Sequence, residues 1–102
     1  MFEKLNFIEE KYEELGLKLS DAEVINDQKL WQRLMKEHSE LSNIVTRYRE
    51  YKAVKEGIEE ATEMLHSSDD DEMKELARTE LSELEAQVTT LEVEVKKLLL
   101  PK

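Results

Sequence analysis

His38 and His66 are the only histidines in the 102 residues, and there is no cysteine. Their separation along one helix would be about 40 Å at 1.5 Å per residue, so they cannot share a metal ion. His38 flanks an apolar seam and reads as a boundary residue. His66 falls near a helix C-terminus and reads as a structural residue of that end. Asp69-Asp70-Asp71-Glu72 offers carboxylates, but it lacks the glycine and the alternating oxygen ligands of an EF-hand loop. The run reads as a solvated turn and helix cap. Nucleophile arrangements, Gly-rich phosphate loops and paired catalytic carboxylates are absent as motifs. The many glutamates fall on exposed helix faces and read as the solvated side of the helices. No catalytic residue, cofactor site or metal site is predicted, and an enzyme confined to this chain is not expected.

Thr46 to Lys55, with Arg47, Tyr48, Arg49, Tyr51 and Lys52, is the one basic and aromatic cluster. Such a cluster could dock RNA. The structural reading is stronger: both tyrosines fall on the apolar seam, and Lys52–Glu56 and Lys55–Glu59 are i,i+4 pairs. The formal net charge is −10. Residues 1–50 carry 8 basic and 11 acidic groups, and residues 51–102 carry 7 and 14. Phosphate contacts draw on Lys and Arg, so no broad nucleic-acid face is expected.

The elements that hold these residues are helical. Charged and apolar residues each make up 39% of the chain, with 2 glycines and 1 proline. That excludes collagen, Gly/Pro-rich disorder and a disulfide scaffold, and leaves too few turn formers for a small sheet protein. Leu5, Ile8, Tyr12, Leu15 and Leu19 step by threes and fours and predict a first helix over 2–19. Gly16 weakens its last turn. Ser20-Asp21-Ala22-Glu23 fits a capping box and predicts one helical turn at 21–24. Asn26 is expected to cap a long helix over 27–65, with Asp27 in its first turn. Leu30, Leu34, Leu41, Ile44, Tyr48, Tyr51, Ile58 and Leu65 form its seam. Trp31, His38, Val45, Val54 and Ala61 flank that seam, while Glu37 and Lys55 interrupt it. After a turn at 66–72, capped by Ser68 or Asp69, Met73, Ala77, Leu81, Leu84, Val88, Leu91, Val95 and Leu98 predict a last helix over 70–99. Pro101 ends it.

Short connections make consecutive helices antiparallel. The expected fold is all-α: one domain over 1–102, an antiparallel three-helix bundle whose long coiled-coil-like hairpin is accompanied by a shorter first helix. The hairpin tip, around 54–80, would then have two helices over it and leave apolar groups partly wet. Val54, Met64 and Met73 there, with Leu99 and Leu100 at the other end, are the candidate partner contacts. The start of the chain has no signal-peptide pattern, and Leu98-Leu99-Leu100 is far short of a membrane span. The cytoplasm is the expected compartment.

Met1-Phe2-Glu3-Lys4-Leu5, Tyr12-Glu13-Glu14-Leu15 and Leu19-Ser20-Asp21-Ala22-Glu23-Val24-Ile25-Asn26-Asp27 resemble the opening of bacterial class I peptide chain release factors, of the type reading UAA and UAG. Lys36-Glu37-His38-Ser39-Glu40-Leu41, Tyr48-Arg49-Glu50-Tyr51-Lys52, Glu72-Met73-Lys74-Glu75-Leu76-Ala77 and Leu98-Leu99-Leu100-Pro101-Lys102 follow in that family's order. Ala22 stands where the family often has proline, and proline is also frequent near Asp71. Both departures loosen a turn slightly. The resemblance implies the N-terminal helical domain of a factor that recognises a stop codon and promotes peptidyl-tRNA hydrolysis on the ribosome. The family's Gly-Gly-Gln loop and Pro-x-Thr reading motif do not occur in these residues. It further implies contact with the ribosomal stalk base, with a GTPase release factor and with the remaining domains of a full-length chain, but no membrane and no direct nucleic-acid contact from this domain. The competing reading is a coiled-coil scaffold that self-associates through its long seam. A reading frame continuing past Lys102 into a Gly-Gly-Gln loop separates the two.

Overall fold

The computed structural model describes residues 1–101 and is an all-α helical bundle: four helices and no strand among those residues. In order they are α1 (Phe2–Leu19), α2 (Ala22–Asn26), α3 (Gln28–Ser67) and α4 (Asp71–Leu98). The chain divides into two compact units, Met1–Thr46 and the residues from Arg47 onward, and α3 contributes to both.

In the first unit, Leu5 and Leu15 are buried, and Ile8, Tyr12 and Leu19 complete the covered stripe of α1. Ser20 ends α1 by donating its backbone N–H to the Leu17 carbonyl, and the Asp21 N–H donates to the Lys18 carbonyl, so Ser20 does not open the next helix as the capping-box pattern suggests. Asp21 takes that role, its carboxylate accepting the Glu23 N–H at 2.9 Å. A β-region backbone at Asp21 aims the side chain along the new helix, whereas Ser20 is already in αR geometry. Asn26 closes α2 and does not cap α3; the Asp27 carboxylate accepts the Leu30 N–H at 3.2 Å. The Trp31 indole donates to the Leu19 carbonyl at 3.2 Å, satisfying an acceptor that the end of α1 leaves without a helical partner. His38 stacks on Tyr12 with ring centroids 4.1 Å apart. A Cβ at Gly16 would stand 3.7 Å from His38 Nε2, an ordinary contact. Gly16→Ala is therefore expected to raise stability by about 0.5–1 kcal/mol in chemical denaturation, because the backbone entropy cost of glycine is removed without a clash.

In the second unit, α3 and α4 run antiparallel. Arg47 faces Glu94, Tyr51 faces Glu92 and Gly57 faces Leu84, so positions descend on α4 as they ascend on α3. The turn between them is closed by Asp70, whose carboxylate accepts the Glu72 N–H at 2.9 Å, while the Asp70 N–H donates to Ser68 Oγ. Neither Ser68 nor Asp69 is the cap, because only Asp70 combines extended backbone with a side chain one residue before the helix. A Cβ at Gly57 would come within 3.2 Å of a Leu84 methyl, so glycine lets the two helices approach closely there.

The buried residues of α3 and α4 are Leu34, Val45, Tyr48, Tyr51, Ala61, Ala77, Leu91 and Val95. Val45 and Ala61, expected as flanks, are covered more fully than the seam residues Ile44, Ile58 and Leu65, which are half-buried. Among the described residues, no buried side-chain nitrogen or oxygen lacks a hydrogen-bond partner, and no helix is long and apolar enough to cross a membrane.

Candidate docking surface

The cluster at Arg47–Lys52 is absorbed into the α3–α4 packing. Tyr48 and Tyr51 are buried. Lys52 Nζ stands 4.5 Å from the Tyr48 ring centroid, a cation–π geometry. The Tyr51 hydroxyl donates to Glu92 Oε1 at 3.4 Å, a long hydrogen bond. Burial raises the Tyr51 pKa above its ordinary value of 10.0, and the neighbouring Glu92 charge and hydrogen bond raise it further. Arg47 reaches Glu50 at 3.0 Å on its own helix and Glu94 at 3.4 Å on α4. These carboxylates and the guanidinium are each nearly half exposed, so Glu94→Ala should cost no more than about 1 kcal/mol in a denaturant melt.

His38 is held in the Tyr12 stack, His66 is exposed in the last turn of α3, and the two are not brought together. Asp69 to Glu72 form the turn and the start of α4. Among the described residues, no group of three or more His, Asp or Glu side chains converges as a metal ligand set. Asp71, Glu72 and Glu75 frame Leu76 and Thr79 on one face of α4.

Exposed apolar side chains gather on both sides of the turn. Met64 is 40% exposed, Met73 38% and Leu76 64%. Leu76 lies outside the heptad steps of α4, and sequence periodicity therefore passed over it. Val54 is half-buried and sits in an open groove between α3 and α4. Leu100 is 66% exposed and Leu99 half-buried, beyond the end of α4. At 1.5 Å per residue that end lies about 38 Å along the helix from Met73, and Val54 lies about 15 Å along α3 from Met64, so the five candidate contacts do not form one patch.

The groove holding Val54 has a volume of about 620 Å³. Ala53 and Val54 of α3 and Ala86, Thr90 and Leu91 of α4 make its walls, and Arg47, Glu50 and Glu94 stand with them. The Thr90 hydroxyl donates to the Ala86 carbonyl at 3.2 Å. Periodicity missed the groove because Ala53, Ala86 and Thr90 are exposed and off the apolar seam. Folding the chain about residues 68–70 places Arg47 opposite the 91–94 turn, and that symmetry was the available signal.

Comparison with known proteins agrees with the resemblance carried by the sequence. The PCRF domain model matches residues 8–102. Peptide chain release factor 1 of Clostridioides difficile is 50% identical over 102 residues, covering 100% of this chain and 29% of that protein. The Alkaliphilus oremlandii protein of the same name is 50% identical, again over 100% of this chain and 29% of its own length. That of Clostridium acetobutylicum is 51% identical, over 100% of this chain and 28% of its own. The chain thus spans under a third of the length of these curated relatives. No solved structure matches it significantly. Half of all positions shared from end to end, under a family model that covers nearly every residue, leave one assignment: the chain belongs to the peptide chain release factor family, of which it forms a PCRF domain.

Proposed function

We propose that residues 1–102 act as one N-terminal helical domain of a cytoplasmic factor that directs termination at UAA and UAG codons and promotes peptidyl-tRNA hydrolysis on the ribosome. Within that factor the domain is a non-catalytic protein-docking module. It contacts the stalk-base region of the ribosome and a GTPase release factor. Val54, Met64 and Met73 on the hairpin, and Leu99 and Leu100 beyond α4, are the contact residues. The observation that carries this reading is the 50% identity over the whole chain to a protein named Peptide chain release factor 1. The exposed Met64, Met73 and Leu76 around the α3–α4 turn support the docking role, since apolar side chains gathered at one place mark interaction sites.

A photo-crosslinker at Met73→Cys, in a full-length factor on stalled termination complexes, tests the docking role. Crosslinks to stalk-base proteins, and to the GTPase factor when it is added, are expected. Crosslinks confined to the decoding centre or the peptidyl transferase centre contradict it.

A further inference from the structure

The geometry points to one occupant for the groove between α3 and α4: a short amphipathic helix of a protein partner, apolar on one face and lined with Lys or Arg on its flanks. The inference rests on the docking reading and assigns the partner's chemistry.

Shape is the first reason. The groove runs beside Arg47 to Val54 on α3 and Ala86 to Glu94 on α4. At 1.5 Å per residue these stretches are about 10–12 Å long, the length of two helical turns. Small side chains, Ala53, Ala86 and Thr90, line the walls beside Val54 and Gln87, and Leu91, 9% exposed, lines them too. Small residues let a third helix approach with its larger side chains pointing inward, in the helix-in-groove mode. The second unit is helical throughout, so an added strand would have no strand edge to pair with.

Charge is the second reason, and it selects among helices. Among the described residues that line the groove, Arg47 is the one cation, and Glu50 and Glu94 already hold it. The triad keeps a net negative charge and sits at one end of the groove, with both carboxylates nearly half exposed. An incoming Lys or Arg can join either carboxylate without displacing Arg47. A second copy of this chain would bring a formal charge of −10 to the same rim, which argues against self-association here.

The test uses the isotope-labelled 102-residue chain and two synthetic 14-residue amphipathic peptides. Both carry leucine on one face; one has lysine flanks and the other glutamate flanks. The lysine peptide should shift backbone resonances of residues 47–54 and 86–94, and the glutamate peptide should not. Glu50→Lys with Glu94→Lys should weaken lysine-peptide binding by about tenfold or more, as should Ala86→Trp, which fills the groove while leaving the charges in place. Both variants should keep the helical circular dichroism of the parent. Several results would overturn the inference: equal binding of both peptides, shifts spread over the whole acidic surface, a concentration-dependent dimer seated on the groove, or tight binding by Ala86→Trp. Shifts confined to Met64 and Met73 would also reject the groove while leaving the docking role to the crosslinking experiment.

Discussion

Leu5→Ala is expected to lower the unfolding free energy by about 2–5 kcal/mol, and the midpoint of thermal unfolding by roughly 10 °C or more. Leu5 is 1% exposed and among the largest side chains enclosed by the fold. Truncation removes its transfer free energy and leaves a cavity that a packed helical core refills only in part. Phe7→Ala, two residues away, is the control: Phe7 is 65% exposed, so its loss should stay within about 0.5 kcal/mol. Leu91→Ala should fall in the same range as Leu5→Ala. Leu84→Ala belongs at the lower end, because Leu84 is half-buried and its methyl packs against Gly57. Equal and negligible effects of Leu5→Ala and Phe7→Ala in denaturant melts would mean that α1 buries a different face.

Tyr51→Ala is expected to cost about 3–5 kcal/mol, since it deletes a buried aromatic ring between α3 and α4. Tyr51→Phe keeps the ring and should cost no more than about 1 kcal/mol, because the hydroxyl's bond to Glu92 is long. The two variants also separate in their pH dependence. The folded-state pKa of Tyr51 is raised above its unfolded value by burial first and by Glu92 second. Above pH 10 the unfolded chain therefore releases this proton before the folded chain does. The stability linked to Tyr51 is fully present below the unfolded pKa and is lost as pH rises through the folded one. Wild-type protein should lose stability more steeply than Tyr51→Phe in melts run above pH 10. Parallel curves would place the hydroxyl in water.

Most of the fold was legible because one signal, apolar residues at threes and fours, repeats along α1, α3 and α4 with few interruptions. The caps were less legible. Ser20, Asn26 and Asp69 are each good capping residues by type, and each has an equally good neighbour, Asp21, Asp27 or Asp70, that took the role. Composition cannot choose between adjacent Asx and Ser residues; the backbone angle at the end of the preceding helix does. Covered depth was also hard to read, since Ala61 and Val45 lie deeper than larger neighbours on the seam. Of the surface features, Met64 and Met73 could be inferred from a long hairpin. The groove could not, because it arises from two helices in register, and its residues, Ala53, Ala86 and Thr90, carry no periodic signal on either helix alone. Arg47 shows the same limit: its sequence neighbours suggest a basic patch, while its bridge to Glu94 is a product of the fold.

A domain exchange most directly asks whether this chain serves termination by presenting a surface. In it, residues 1–102 replace the matching segment of the Clostridioides difficile Peptide chain release factor 1, to which they are 50% identical. Release of peptide from ribosomes stalled at UAA and UAG should persist in the chimera, and the 102-residue chain alone should release none. A chimera that folds but cannot support release, or an isolated chain that frees peptide from tRNA by itself, would contradict the proposed role.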